Sequence, residues 1–514
     1  MENDYFVALD LGTSFIKTGI YDKYGVCHSV SHKSVNSFTE GPGTYIQKAE
    51  DLFEDVVACL KRAIQILGEE KNNIRAIAFT GQMAGFMGVD KDWNDITTWS
   101  CSLDTRYVPF ANKQMELLAD EFLEISGTNA PLMAPKCEWF NKEFPQKAKD
   151  IEKYMMISGY VIGRLGNSKI EDATIDCSYI TWTGLADLKK GTWSKELCEK
   201  VGVRVEQLPK IVKSYEICGH LSKEMAFEVG IASGIPLISG AGDKIAGCIG
   251  AGILNEGDMI FEASSYGAIS CMVNTFIANT VEKSYDAIPA ALSEEYYAHK
   301  YIPGSGITLK WFADNFCSKN EDWNSTFKEI DRKISAIGLG CDGLMAIGLL
   351  GGSAMPFDGE LRGTFIGHTW NHKTEHFYKA LLEGYGYEVA LTIDAIEEMY
   401  GRNPVQIIKM IGGGANSAEW PQIMADICGR EFQCLEREDV ALWGTAMIAG
   451  YGVGLMDDLN EIAQKNVVVK RIYKPDMEKH QKYRQYKKIY AQLRKELHLY
   501  CEMLLKTNQM IVSS

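Results

Sequence analysis

Two short segments of this chain carry residues suited to phosphoryl transfer. Asp10-Leu11-Gly12-Thr13-Ser14 follows the apolar run Tyr5-Phe6-Val7-Ala8-Leu9 and precedes a second alternating run, Ile16 to Tyr21, which reads as strand, tight turn, strand. A carboxylate at the end of the first strand can hold Mg²⁺ through water. Gly12, Thr13 and Ser14 add unhindered backbone N–H groups and two hydroxyls for phosphate oxygens. The second segment, Gly242-Asp243-Lys244, sets a carboxylate in a glycine-containing turn near the middle of the chain. Gly, Asp and Ser also dominate ordinary turns for steric reasons, so each segment alone is equally an unadorned turn.

The elements that must position these groups follow from periodicity. Apolar residues at Leu52, Phe53, Val56, Val57, Leu60, Ile64 and Leu67 predict an amphipathic helix, and a strand from Ile74 to Thr80 follows it. That strand runs into Gly81-Gln82-Met83-Ala84-Gly85, where an open α/β sheet presents ligand groups. Residues 107 to 235 read as a helical middle region. A short strand from Pro236 to Gly240 then leads through the Asp243 turn into an apolar helix from Lys244 to Ile253. Asp258 to Glu262, Ala263-Ser264-Ser265-Tyr266-Gly267 and Ala268 to Val273 repeat the strand, small-residue turn, strand pattern of the opening, which implies two similar lobes with a boundary near residues 253 to 257. A further strand is expected from Val405 to Ile411 and a helix from Trp420. The tail from Asp476 to Leu505 has helical spacing among many charges, as a long amphipathic helix would.

With 514 residues the chain exceeds what a single core supports, so two or three domains are expected. An apolar fraction of 46% and a charged fraction of 24% place it among globular proteins rather than disordered or fibrous ones. A net charge of −15 argues against nucleic acid or an anionic membrane as partner and favours a small molecule. No leader-like segment and no long apolar run is evident, so a cytoplasmic protein is expected. The 14 cysteines form no CxxC pair and read as buried free thiols, and the nine scattered histidines give no transition-metal pattern. No G-x-x-x-x-G-K-[ST] loop is present, which excludes a P-loop enzyme.

The remaining motifs fall in a telling order. After Asp10 to Ser14 come Gly81 to Gly85, Trp99, Asp104-Thr105-Arg106, Gly240 to Asp243, Ala263 to Ser265, Lys310-Trp311-Phe312, Gly363 to Gly367, and Gly412-Gly413-Gly414-Ala415-Asn416-Ser417. This series resembles the FGGY carbohydrate kinases, and within them the xylulokinase-like branch, from about residue 5 to residue 455. The resemblance implies an α/β fold of two actin-like, ribonuclease-H-like lobes around a central cleft. Residues 1–254 would form the sugar-binding lobe with the first phosphate hairpin and the base, and residues 255–514 the ATP-binding lobe ending in the helix of 476–505.

The resemblance also implies roles. Asp243 matches the base that accepts the proton of the attacking hydroxyl, a task that a carboxylate must perform because a hydroxyl is a poor nucleophile at neutral pH. Asp10 matches the position serving Mg²⁺ through water, with Asp243 a second candidate. Thr13, Ser14 and Lys17 belong to the first phosphate hairpin and Ser264 and Ser265 to the second, while Gly413, Gly414, Ala415 and Asn416 match the adenosine-binding turn. Gln82, Met83, Ala84, Asp104 and Arg106, together with Asp243, match the sugar side. ATP and Mg²⁺ are the implied cofactors, a small sugar or polyol the substrate, and a homodimer the family analogy.

Three departures bear on this. Ala84 stands where xylulokinases carry histidine, removing a hydrogen-bonding group from the sugar pocket. Ser100 to Leu103 lengthen the loop between Trp99 and Asp104, and Ala263 stands where the family has glycine. A ketopentose such as xylulose is the expected substrate, with other polyols, tetroses or sugar acids of the glycerol, erythritol or gluconate type open, as is a non-catalytic sensor that kept the fold.

Overall fold

The computed structural model describes residues 3–317, 323–401 and 406–512. Its first sheet begins with a meander. Strands β1 (Tyr5–Leu11), β2 (Phe15–Asp22) and β3 (Cys27–Ser34) pair antiparallel in sequence, and the apolar runs of β1 and β2 are almost wholly buried. Helix α1 (Ala49–Leu67) turns its Leu52, Val56, Leu60 and Ile64 face inward and ends at Gly68. The chain then re-enters the sheet as β4 (Ile74–Gly81), parallel to β1. Strands β5 (Ile217–His220) and β6 (Pro236–Ile238) complete the order β5-β6-β4-β1-β2-β3, with β6 parallel to β4 and β5 antiparallel at the edge. Helix α2 (Asp243–Gly250) follows β6 directly.

The second sheet repeats this plan. Strands β7 (Met259–Ala263), β8 (Gly267–Val273) and β10 (Tyr296–Ile302) form its antiparallel meander, with β9 (Asp286–Pro289) added outside β10. Strand β11 (Ile407–Ile411) pairs parallel to β7, β12 (Glu431–Leu435) parallel to β11, and β13 (Val469–Tyr473) closes the edge antiparallel. The order β9-β10-β8-β7-β11-β12-β13 therefore contains the first sheet's order with one strand added. Helices α3 (Ser305–Phe316), α4 (Thr374–Tyr400) and α5 (Trp420–Cys428) clothe it. Val405, expected at the start of β11, lies outside the described residues.

Helix α6 (Val440–Gly452) does not stay with the sheet that precedes it. It is apolar on all sides, and Trp443, Ala446, Met447, Ile448 and Ala449 belong to the same buried core as β1, β4 and α2. The helices α2 and α6 cross at backbone contact. A Cβ on Gly444 would lie 1.9 Å from the Ala246 carbonyl oxygen, and one on Gly250 would lie 1.9 Å from that of Val440. The tail forms α7 (Met477–Val512), longer than the 476–505 expected.

The middle region corrects the helical expectation for 107–235. It contains helices such as Val108–Ser126, Met133–Glu143 and Ile157–Gly166, interleaved with short strands at Lys153–Met155, Thr174–Asp176 and Lys210–Val212. Three-residue strands carry too few alternations to register as a period. Among the described residues, no helix is long and apolar enough to cross a membrane.

Candidate active site

The two hairpins and the Asp243 turn meet between the sheets. Asp10, the penultimate residue of β1, faces Lys17 across the hairpin, with Lys17 Nζ 3.9 Å from its Oδ2. Burial pushes the Asp10 carboxyl up to about 6. Lys17 and Lys244 oppose that shift, and the nearby Asp243 adds to it. Thr13 is half-buried and Ser14 exposed at the tip, placed to meet a ligand.

Asp243 opens α2 at the end of the turn from β6. The turn is tightly built. Gly240 has φ +77°, where a Cβ would lie 1.7 Å from the Phe79 carbonyl oxygen, so a side chain is excluded both by conformation and by β4. A Cβ on Gly242 would lie 2.5 Å from Met83 Cγ, which seats Met83 of the sugar-side loop against the base turn. The Gly242 N–H donates to Ser178 Oγ at 2.8 Å; the Ser178 hydroxyl and N–H both reach Asp176 Oδ1, and Ser214 Oγ donates to Asp176 Oδ2 at 2.6 Å. Asp176 is fully buried and burial pushes its carboxyl up to about 6, against the hydrogen bonds that favour its charge. Sequence reasoning missed this support; its only signal is the Asx turn Asp176-Cys177-Ser178 inside an otherwise apolar stretch.

Burial also raises the Asp243 carboxyl, and Lys244 is the largest opposing influence. Lys244 Nζ lies 2.7 Å from Glu262 Oε2. Burial is the largest influence on Glu262 and would raise it, yet the charge and hydrogen bond of Lys244 and the hydrogen bond from Ser264 together hold that carboxyl below the usual range. Glu262 is the penultimate residue of β7, the place that Asp10 has on β1, and Ser264 Oγ donates to its other oxygen at 2.7 Å. Ser265 is exposed beside it at the second hairpin tip.

The glycine turn lies against this hairpin. A Cβ on Gly414 would lie 2.6 Å from the Ala263 methyl, so the alanine found in place of the family's glycine is accommodated by Gly414. A Cβ on Gly413 would meet nothing within 4 Å, an open cradle in front of the backbone. Asn416 is exposed, and Ala415 is buried with its carbonyl held by Arg471. Lys310 on α3 lies over the Trp323 ring at 5.2 Å, and Trp311 is partly exposed.

On the sugar side a polar chain joins the loop to the first hairpin. Trp99 Nε1 donates to Gln82 Oε1 at 3.2 Å, Gln82 Nε2 to Gln47 Oε1 at 3.3 Å, and Gln47 Nε2 to the Thr13 carbonyl at 2.8 Å. Trp99 is wholly buried and serves the core rather than an open sugar face. Ala84 is half-buried. Asp104 is buried, binds Arg106 through two hydrogen bonds of 2.9 and 2.6 Å, and accepts from Ser100 Oγ at 2.9 Å. The lengthened loop is held from beneath by Lys136, fully buried, whose ammonium donates to the Ser100 and Cys101 carbonyls at 2.9 and 2.5 Å. Burial lowers that amine to about 8. Gln47 and Lys136 had no motif to reveal them.

The donors fit the implied ligands. Asp10, Asp243 and Glu262 are hard oxygen donors from three different elements, which suits an ion held chiefly by nucleotide phosphates with one or two carboxylates. Among the described residues no group of three or more His, Cys, Asp or Glu forms an all-protein metal cage.

Residues 5–250 match the description "FGGY family of carbohydrate kinases, N-terminal domain", and residues 265–453 match the C-terminal domain of that family. This chain belongs to the FGGY carbohydrate kinases. It is accordingly a sugar kinase, a phosphotransferase with the two-lobed actin-like α/β fold of that family. A xylulose kinase of Bacillus subtilis (strain 168) is 26% identical over 502 residues, spanning 95% of this chain and 97% of that protein. A gluconokinase of the same organism is 28% identical over 469 residues, 89% of this chain and 90% of that one. Ligand-bound xylulose kinase from Lactobacillus acidophilus shares the fold with a TM-score of 0.88 at 22% identity, over 96% of this chain and 98% of the other.

Proposed function

We propose that this FGGY kinase transfers the γ-phosphoryl group of ATP, with Mg²⁺, to a hydroxyl of a small open-chain sugar, a ketopentose such as xylulose being the first candidate. The observation that carries the reading is Asp243, half-buried at the start of α2 between both hairpins, where it can accept the proton of an attacking hydroxyl. Mg²⁺, when bound, supplies charge neutralisation to the phosphates. This chain's own residues do the rest. Thr13, Ser14, Lys17, Ser264 and Ser265 flank the phosphates, Gly413 to Asn416 receive the adenosine, and Gln82, Met83, Asp104 and Arg106 shape the sugar side. The lobes are read as 1–254 and 255–514, and a homodimer and a cytoplasmic setting come with the family analogy. The xylulose kinase relatives support the ketopentose, while Ala84 in place of histidine makes the substrate panel informative.

The test is coupled ADP release with Mg·ATP against ketopentoses, ketotetroses, polyols and sugar acids. Sugar-dependent turnover by the wild type, strongest with a ketopentose and reduced by at least about 10³-fold in Asp243→Asn, is the expected outcome. Turnover with gluconate or a polyol instead would reassign the substrate, and an active Asp243→Asn enzyme would remove the base assignment.

A further inference from the structure

The glycine turn that begins at Gly412 is fixed from outside by two charged side chains that no motif connects to it. Asp331 lies on the helix Trp323–Ile334, 86 residues before Ser417, and Arg471 lies on β13. One carboxylate oxygen of Asp331, Oδ2, accepts from the Ser417 hydroxyl at 2.7 Å and from the Ala418 N–H at 3.0 Å. Ser417 Oγ in turn accepts from the Glu419 and Trp420 N–H groups at 3.2 and 3.0 Å, which satisfies donors at the start of α5. Arg471 Nη2 donates to the Ala415 carbonyl, and its charge reaches Asp331. We propose that Asp331 and Arg471 are positioning residues that hold the turn from Gly412 to Ser417 in the shape that receives the adenosine of ATP.

The inference rests on the reading of this turn as the adenosine site. Gly412 has φ +86°, and a Cβ there would lie 2.8 Å from the Ala263 carbonyl oxygen. A Cβ on Gly414 would lie 2.3 Å from the Trp420 ring, whereas one on Gly413 meets nothing within 4 Å. The turn is thus seated against the second hairpin and α5 by the absence of side chains, and glycine backbone adds no stiffness of its own. Two internal hydrogen bonds, from the Ala415 N–H to the Gly412 carbonyl at 3.0 Å and from the Ser417 N–H to the Gly414 carbonyl at 3.1 Å, close it. Its far end is held by Asp331 and Arg471. Asp331 is only 7% exposed, so the bonds it accepts are shielded from water, and a charged acceptor makes them stronger than neutral ones. A turn shaped before the nucleotide arrives spares binding the entropy of ordering it.

Asp331→Leu keeps the side chain's size and leaves the Ser417 hydroxyl and the Ala418 N–H without their acceptor. It should weaken Mg·ADP binding measured by calorimetry about tenfold and raise KM for Mg·ATP to match. KM for the sugar that gives turnover in the substrate panel, and kcat at saturating Mg·ATP, should stay within about twofold of wild type. Asp331→Asn, which keeps an oxygen in the same place, should restore most of the affinity. Ser417→Ala and Arg471→Met remove the same support from its other ends and should show the same split between nucleotide and sugar. Thermal unfolding of each variant identifies any that fail to fold, and the remaining variants then decide. Gly413→Val fills the open cradle directly. Wild-type Mg·ADP affinity in the folded Asp331, Ser417 and Arg471 variants, with binding lost in Gly413→Val, would overturn this inference and leave the turn as the adenosine site. An equal rise in KM for the sugar would also overturn it, by assigning these residues to the fold as a whole. Full Mg·ADP affinity in Gly413→Val would overturn both.

Discussion

At the scale of single residues the site depends on side chains that never need to touch a ligand. Gln47 is wholly buried, and its amide links Gln82 of the sugar-side loop to the Thr13 carbonyl in the first phosphate hairpin. Replacing it with leucine keeps the volume and strands both partners. A buried polar group without a partner costs about 1–3 kcal/mol, so Gln47→Leu should lower thermal stability. It should also reduce kcat/KM by about tenfold or more as the hairpin loses its register to the sugar loop. Steady-state kinetics with Mg·ATP at saturation checks this, and an unchanged kcat/KM would show that the chain of amides is only packing. Asp243, Asp10 and the hairpin serines were legible from the sequence because glycine, carboxylate and hydroxyl crowd into a few positions beside clean alternating strands. Gln47, Lys136, Asp176 and Glu262 were not. Each is a lone polar residue with at least one partner well along the chain: the Thr13 carbonyl is 34 residues from Gln47, the Ser100 carbonyl 36 from Lys136, Ser214 38 from Asp176 and Lys244 18 from Glu262.

At the scale of elements, α4 and α7 are fastened by two carboxylates that titrate in opposite directions. Glu388 is buried between Lys300 and Arg494, at 2.6 and 2.9 Å, and these cations outweigh burial to hold its carboxyl down at about 2. Glu383 accepts from Tyr483 at 2.9 Å and from the Gly340 N–H at 3.1 Å, yet burial dominates and pushes it up to about 7. The sign follows from proton counting. A raised carboxyl binds more protons folded than unfolded, so its contribution is full below pH 4.5 and is lost as the pH rises to about 7. Glu388 is depressed, and its contribution is lost only as the pH falls from 4.5 towards about 2. Glu383→Gln should therefore flatten the loss of stability between pH 4.5 and about 7 in denaturant unfolding, leaving the acid side unchanged. An identical slope in the variant would place the titration elsewhere. The pattern foretold α1 from its one buried face, and β1, β2, β4, β7 and β8 nearly to the residue from short apolar runs bounded by turn residues, runs that the fold buries almost entirely. It foretold neither the third strands of the meanders nor β13, whose alternation of half-buried and exposed residues is set by neighbours rather than by composition.

At the scale of the whole molecule, the sheet order repeats but the core does not divide at the boundary the sequence suggests. Helix α6, from the second half, fills the core of the first sheet and meets α2 at Gly250 and Gly444. A fragment ending at residue 254 would therefore lack Trp443, Ala446, Met447 and Ile448 and would expose the apolar faces of α2, β1 and β4. Expressed alone, it should be aggregated or bind hydrophobic dye, and adding the fragment 255–514 should restore soluble, folded material. A soluble, cooperatively unfolding 1–254 fragment would contradict this.

The same helix sets a timetable for synthesis. Nearly 200 residues separate the end of α2 from the start of α6, so at ordinary elongation rates the first lobe leaves the ribosome roughly ten to forty seconds before the last piece of its core. During that interval the nascent chain carries the sugar-side loop and the base turn on an unfinished scaffold, with an apolar groove that only its own later sequence can fill.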